Sequence, residues 1–312
     1  MSLMLTNKPF MGIEIGGTKL QLVTGSADGN LLTKHRFQIN KKEGANGIRT
    51  FIEKTVRENY RKKIAAVGIG FGGPVNWKTG KIATSFHIEG WSDFNLAEWL
   101  EPIVEAPVFV ENDANTAALG ESIHGAGKGY KIVLYITIGS GVGGGLIINN
   151  KIYHGAIPGE VEIGHLQMNR SGDTFQSLCS GWAVDEKIRK IVAKEPDGVL
   201  AKLVGDNTSG EAIFLKKALE ENDSKAWNIY NETFDDLAFG ISHAIHLFHP
   251  EIVILGGGFS LLGKILKESI EKKLPAYLMK TFHPGPIIGL ATLEELSVPV
   301  GGILLAHQNF DK

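Results

Sequence analysis

The sequence predicts an α/β fold built from two similar halves with a cleft between them. Three observations lead there. Strand-length apolar runs alternate with segments of helical period. A glycine-centred hairpin pattern occurs twice. Later strands run out into glycine or polar clusters at 72–74, 111–113 and 256–258.

In the first half, residues 10–15 and 20–24 are mainly apolar runs and Gly16-Gly17-Thr18-Lys19 joins them, which reads as a hairpin. Residues 31–39 read as a third strand. Over 47–60, Ile48, Phe51, Ile52, Val56 and Tyr60 fall at helical spacing. Residues 64–71 form a strand ending in Gly72-Gly73-Pro74, and 108–110 form another, so the order is β-β-β-α-β-α-β. The pattern then restarts. Residues 132–138 and 146–152 flank a turn at Gly139-Ser140-Gly141-Val142-Gly143-Gly144-Gly145. A long helix is predicted over 225–248, with Trp227, Tyr230, Phe234, Leu237, Ile241, Ile245 and Phe248 on one stripe. It leads through His249-Pro250 into a strand at 252–255 and then Gly256-Gly257-Gly258. Residue identity between the halves is low, so the duplication is one of pattern. Residues 187–219 read as a polar, largely helical insertion. No Pro-, Gly- or Ser-rich stretch marks a flexible linker.

The 312 residues suit one large domain or two ordinary ones. Hydrophobic residues make up 43% and charged residues 21%, which indicates a soluble globular chain and excludes disorder. The formal net charge is −2 with no basic block, so no nucleic-acid partner is expected. The single cysteine, Cys179, excludes an intramolecular disulfide. Met1-Ser2-Leu3-Met4 lacks the apolar core of a secretory signal, and a reducing, cytoplasmic setting is expected. Met1-Ser2-Leu3 also reads as an artificial extension ahead of Met4. The stretch 132–150 is uncharged, but each of its glycines would weaken a membrane helix by about 1 kcal/mol. Two strands around a tight turn fit it better, and no membrane association is expected.

Val108-Phe109-Val110 ends abruptly in Glu111-Asn112-Asp113-Ala114-Asn115, ahead of an Ala-rich helical segment. A strand that delivers an acid to the start of a helix places a carboxylate in a cleft. Equally, Asn112 or Asp113 can simply cap the helix. The glycine turns are the second feature. Turn amides without side-chain cover converge on anions, and glycine lets a phosphate approach the backbone. Thr18 and Thr137 add hydroxyl donors and Lys19 a charge. Neither turn is a Walker loop, since no GxxxxGK[ST] occurs. One glycine hairpin alone is an ordinary turn; two of them plus a triple glycine favour phosphate binding.

Five motifs occur in order. They are Gly12-Ile13-Glu14-Ile15-Gly16-Gly17-Thr18-Lys19, Glu111-Asn112-Asp113-Ala114-Asn115, Thr137-Ile138-Gly139-Ser140-Gly141-Val142-Gly143-Gly144-Gly145, Glu162-Ile163-Gly164-His165 and Ile254-Leu255-Gly256-Gly257-Gly258. Together, over nearly the whole chain, they resemble the ROK family (repressors, open reading frames, kinases) of sugar kinases, within the actin-like ATPase superfamily. The resemblance implies two ribonuclease-H-like α/β domains around a central cleft that closes on sugar and ATP. It implies a small domain at 1–112 plus 298–312 and a large one at 113–297. Gly16, Gly17, Thr18 and Lys19 match the first phosphate loop. Thr137, Gly139, Ser140 and Gly141 match the second, and Gly256, Gly257 and Gly258 the adenosine-side loop. Asp113 matches the catalytic aspartate, the general base that takes a sugar hydroxyl's proton. Gly73, Asn112, Glu162 and His165 match sugar contacts. ATP and Mg²⁺ are the implied cofactors, and a homodimer the implied assembly.

Three departures bear on function. Glu14 stands where many members have Asp, and its longer arm still reaches a Mg²⁺-bound water. The family's CxCGxxGC run after Gly-His, which with the histidine holds zinc, is missing; only Cys179 follows His165. No zinc site is expected, because tetrahedral zinc needs four such ligands. Aligned back from Ser180-Gly181, the last zinc cysteine falls at Thr174 and the next sugar-binding glutamate at Gln176, which can donate as well as accept. Finally, His87-Ile88-Glu89-Gly90-Trp91 replaces the common Asn-Leu-Pro-Gly-Trp.

The remaining candidates read as structural. His243, His246 and His249 are helix-end or interface residues, Trp91 and Trp99 pack, and Cys179 is a small buried apolar residue. The expected function is ATP-dependent phosphorylation of a hexose, at the 6-hydroxyl of glucose or a related sugar. The rival is a sugar-binding sensor without catalysis. A DNA-binding repressor would need a helix-turn-helix ahead of the first hairpin, and that hairpin already begins at Phe10. A polyphosphate-dependent kinase would want basic residues near the second loop, where 132–150 has none.

Overall fold

The computed structural model describes residues 8–85 and 88–310. Met1-Ser2-Leu3-Met4 and His87 of the altered substrate loop lie outside the described residues. The chain opens with β1 (Phe10–Ile15), β2 (Lys19–Gly25), β3 (Leu31–Gln38), α1 (Gly44–Asn59), β4 (Val67–Phe71), β5 (Val75–Asn76), β6 (Lys81–Ile82), α2 (Leu96–Val104), β7 (Val108–Asn112) and α3 (Asp113–His124). It continues with β8 (Ile132–Ile138), β9 (Val142–Ile148), β10 (Lys151–Ile152), α4 (Phe175–Cys179), α5 (Gly181–Lys194), α6 (Val199–Val204) and α7 (Leu215–Glu220). Then come α8 (Ser224–Phe248), β11 (Ile252–Gly256), α9 (Lys264–Lys273), β12 (Ile287–Leu290) and α10 (Ser297–Phe310). Among the described residues, no helix is long and apolar enough to cross a membrane.

The duplication is plain in the sheets. One sheet has the order β3-β2-β1-β4-β7 and the other β10-β9-β8-β11-β12. Counted within its own half, each runs third, second, first, fourth, fifth. The small β5-β6 hairpin is an addition to the first half that the apolar pattern did not announce. By internal contacts the chain divides into two compact units. The first takes in Met1–Tyr135, Gly145–Val161 and Thr292–Lys312, and the second Ile136–Gly144 and Glu162–Ala291. These divisions differ from the expected ones at 112/113 and 297/298. The physical reason is that α3 packs on α10 and β4, so the helix that Asp113 starts belongs with the first unit.

In the first unit, β1 and β4 are buried throughout. Alternate side chains of a strand face opposite ways. Met11, Ile13 and Ile15, with Val67, Ile69 and Phe71, join Ile48 and Ile52 of α1 and Leu100 of α2 in one core. The other face is stripped to glycine where α10 lies. A Cβ on Gly12 would fall within the Pro299 carbonyl, and one on Gly68 within that of Gly302. A Cβ on Gly301 would likewise overlap the Thr116 carbonyl of α3. Backbone therefore meets backbone across this layer. Helix α10 carries Pro299, Gly301 and Gly302 and is buried on nearly all sides, so it has neither helix-favouring composition nor an amphipathic stripe.

The carboxylate of Glu121, at the end of α3, anchors the chain as it enters α10. It accepts hydrogen bonds from Thr292 N at 3.1 Å, Leu293 N at 2.9 Å, Ser297 Oγ at 2.8 Å and Ala126 N at 3.0 Å.

Two sequence expectations are refined here. Strand β9 begins at Val142, not Leu146, so Gly143, Gly144 and Gly145 lie inside a strand and the turn is confined to Gly139-Ser140-Gly141. At Gly145 the reason is that α3 passes close by: a Cβ there would stand 2.8 Å from the Ala114 carbonyl oxygen. Second, residues 187–219 fold as the rest of α5, then α6, a short 3₁₀ turn (Glu211–Phe214) and α7.

Gly68→Ala tests the close seating of α10. Overpacking should cost at least about 2 kcal/mol, read as a lowered urea midpoint with an unchanged m-value; an unchanged midpoint would contradict the contact.

Candidate active site

The parallel pairing of β1, β4 and β7 places Ile15, Phe71 and Asn112 at the same level. Beyond those three residues come the Gly16 turn, Gly72-Gly73 and Asp113. Ligands of parallel sheets sit at such carboxyl ends. Asn112 is the N-cap of α3: its Oδ1 accepts from Ala114 N at 2.8 Å and Asn115 N at 3.3 Å, and its Nδ2 donates to Gly73 O at 3.2 Å. The capping role thus belongs to Asn112, and Asp113 is the first helical residue. The Asp113 carboxylate lies beside Gly72. A Cβ there would stand 3.4 Å from Asp113 Oδ2, 3.4 Å from Ile15 O and 3.8 Å from Gly16 Cα. The acid and the first glycine turn therefore share one strand end.

The first turn is closed by Gly16 N donating to Lys19 O at 3.1 Å, with Thr18 exposed at its tip. Glu14 is 7% exposed. It accepts from Gln21 Nε2 at 2.7 Å and pairs with Lys19 Nζ at 3.2 Å. Burial pushes its carboxyl above the ordinary value, against the opposing pull of the Lys19 charge. Its Oε1 lies 3.9 Å from the point a Cβ on Gly16 would take, so it reaches the turn. Lys19, read from the sequence as a phosphate charge, is engaged with Glu14.

The second unit builds its own group. Gly139 N donates to Gly141 O at 3.0 Å, and Gly181 N, at the start of α5, donates to Gly139 O at 2.7 Å. Gly257 has φ +75°, and a Cβ on it would press on the Ile138 backbone at 2.5 Å, so glycine is required there. The tip Ser140, Gly139 and Gly258 border a cavity of about 390 Å³, whose other walls include Trp182, Ile213 and Leu261. These three are among the exposed large apolar residues. Thr137 and Gly256 are the neighbouring strand residues on β8 and β11. The wall carrying Ile213 comes from the 187–219 segment. Asp185 Oδ1 holds it by accepting from Ala212 N at 2.6 Å, and Arg189, one turn on, pairs with buried Glu211 at 3.1 Å.

On the other side of the Gly139–Gly141 turn, Gln176 Oε1 lies 3.3 Å from the Cβ points of both Gly141 and Gly164. Gly164 sits in the short turn Ile163–His165, where Glu162 and His165 are exposed. Thr174, aligned with the last cysteine of the family's zinc run, is the N-cap of α4, its Oγ1 accepting from Ser177 N at 3.3 Å.

The predicted residues thus collect in two groups. Glu14, Gly16, Gly17, Thr18, Lys19, Gly73, Asn112 and Asp113 are in the first unit; Thr137, Gly139, Ser140, Gly141, Glu162, His165, Gln176 and Gly256, Gly257 and Gly258 are in the second. Trp182, Ile213 and Leu261 were missed, because single exposed apolar residues in polar helical sequence carry no periodic signal. The residues read as structural have packing roles. Trp91 is fully buried against Phe71, His249 stacks on Phe282 at 3.9 Å, and burial raises the Cys179 thiol.

Two five-stranded sheets of matching order, with glycine turns at their strand ends, define the actin-like ATPase fold of the sugar kinases. The chain belongs to the ROK family, whose family model matches residues 10–309. It is 30% identical to the glucokinase of Halalkalibacterium halodurans over 319 residues, spanning 97% of this chain and 96% of that one. The glucokinase of Thermotoga maritima is 30% identical over 283 residues, 87% of this chain and 89% of that one. A ROK family glucokinase from Streptomyces griseus, solved with glucose and AMPPNP, is 29% identical. It superposes with a TM-score of 0.82 over 96% of this chain and 100% of that one.

The raised carboxyl of Glu14 makes a signed prediction. The folded state holds this proton more tightly than the unfolded chain, so its ionisation takes stability away as pH rises above 4.5. Glu14→Gln should remove that part of the pH dependence and melt higher than wild type at pH 7. Parallel melting curves across pH 4–8 would show that the buried charge is not unfavourable.

Proposed function

We propose that this protein transfers the γ-phosphoryl group of ATP to a hexose hydroxyl, with the 6-hydroxyl of glucose as the first candidate. The observation that carries this reading is the placement of Asp113 beside the first glycine turn, with the helix cap supplied by Asn112. A sugar hydroxyl is a poor nucleophile at neutral pH. Asp113 would take its proton as the oxygen attacks the γ-phosphorus, and the bond to the β–γ bridging oxygen breaks. The glycine-turn amides at 16–18 and 139–141 would neutralise charge on the phosphates without reorganising. Magnesium would supply further charge neutralisation; the oxygen donors of Glu14 suit it, through water.

The cavity of the second unit supports a nucleotide. It is walled by apolar side chains on one side and by Gly139, Ser140 and Gly258 on the other, which fits a flat base leading to phosphates. A polyphosphate chain would have no use for the apolar wall. On the sugar side, Asn112 has its Oδ1 committed to the cap and one Nδ2 hydrogen to Gly73 O, so the second Nδ2 hydrogen would serve a hydroxyl. Glu162, His165 and Gln176 would supply the other hydroxyl contacts, with Gly73 leaving room for the ring.

A coupled ADP-release assay with ATP, Mg²⁺ and a panel of hexoses and N-acetylhexosamines tests the reading. Turnover dependent on one sugar supports the kinase. Sugar binding by calorimetry without turnover on any sugar would favour the sensor. Asp113→Ala should lower kcat by about 10²–10⁴-fold while sugar affinity changes little; a fully active variant would sink the mechanism. Trp182→Ala should raise the KM for ATP with kcat nearly unchanged, the mark of lost uniform binding.

A further inference from the structure

Glu111 on β7, His154 just after β10 and Glu160 six residues further on bring three ligand atoms within 4.8 Å of one another. All three belong to the first unit. Glu111 is 3% exposed. Its Oε1 accepts from Asn112 N at 2.8 Å and from Asn115 Nδ2 at 3.2 Å, and its Oε2 meets His154 Nε2 at 2.7 Å. The same Asn115 Nδ2 donates to Glu160 Oε1 at 2.6 Å. Two polar atoms are then left over. Glu160 Oε2 is buried with no hydrogen-bond partner among the described residues, and so is Oδ1 of Asn115, a side chain only 2% exposed. A buried oxygen with nothing to accept is unfavourable and calls for a positive partner.

The charges point the same way. Two carboxylates face one imidazole, and among the described residues the ion pair of Glu111 is made with His154. The imidazole is held in place by Trp77, which stacks on it at 4.0 Å and 17°. Glu111, His154, Trp77 and Lys78 also border a cavity of about 620 Å³, which gives a path from solvent.

We propose that Glu111, His154 and Glu160 form a binding site for a divalent transition-metal cation, zinc or manganese. One imidazole nitrogen with two carboxylate oxygens, and no thiolate, suits these ions better than the all-oxygen preference of calcium and magnesium. Ligand atoms about 2.0–2.2 Å from a common centre stand closer together than 4.8 Å, so small rotations of the Glu160 side chain, with a slight opening of the Glu111–His154 pair, bring the three ligands onto the ion and leave the remaining position to water. The metal replaces the His154–Glu111 hydrogen bond, and Asn115 holds both carboxylates from behind. The ion would tie the segment after β10 to the end of β7, one residue from Asn112. The site stands independently of phosphate transfer.

Full-length protein stripped with a chelator is titrated with zinc chloride by calorimetry, without nucleotide or sugar, and with manganese chloride by electron paramagnetic resonance. One equivalent should bind. Glu160→Gln and His154→Ala should each weaken binding about tenfold or more, while Glu14→Gln and His165→Ala leave it unchanged. Zinc should raise the melting temperature of wild type but not of Glu160→Gln. Glu160→Gln keeps the side-chain shape, and far-ultraviolet circular dichroism checks that each variant is folded. Substoichiometric binding, equal affinity in folded Glu160→Gln, or loss of binding in His165→Ala in place of His154→Ala would overturn the site.

Discussion

The close approach of α10 to the first sheet is the constraint on which the first unit depends. Side chains normally keep the backbone of a helix clear of the strands it covers. Here Gly12 and Gly68 remove them from one face of β1 and β4, and Gly302 removes one from the facing helix. The opposite face of the same strands keeps its full apolar complement. Two central strands clamped between a glycine-on-glycine layer and a dense aliphatic core cannot slip in register. Their carboxyl ends are therefore fixed side by side, and this puts the Gly16 turn next to the acid at the start of α3.

The start of α3 divides labour between neighbours. A helix needs an acceptor for its first amides, and an aspartate is well suited to that role. Asn112 supplies the acceptor, so the Asp113 carboxylate is directed toward the Gly16–Gly72 end of the strands. At the other end of the helix, Glu121 accepts from two backbone amides and a serine hydroxyl of the chain leading to α10. One helix thus presents the candidate catalytic group and braces the layer behind it.

Much of this was legible in the sequence, for reasons that differ by element. Buried strands 10–15 and 67–71 are apolar or glycine apart from Glu14, and the glycine turns that follow them are rare enough to stand out. Helix α8 carried a clear stripe. Helix α10 did not, because a helix enclosed on most sides has no polar face to set a period, and its glycines and proline argue against helix locally. The limits of the second turn were misjudged for a related reason: Gly145 makes room for α3, which composition cannot separate from turn formation. The apolar wall at Trp182, Ile213 and Leu261 depends on α5 and the Glu211–Phe214 turn coming together through Asp185 and Arg189, a tertiary event with no local trace. The convergence of Glu111, His154 and Glu160 was invisible for the same reason, their spacing being set by strand pairing and the segment after β10.

The seating of α10 also bears on how the protein is made. Gly12 leaves the ribosome well before its packing partner Pro299. At about 5–20 residues per second, that delay is roughly a quarter of a minute to a minute. Once β7 has emerged, every strand of the first sheet is available, yet the glycine face of β1 and β4 still lacks its cover. The nascent first unit is therefore an unfinished surface that a chaperone can occupy until α10 is made.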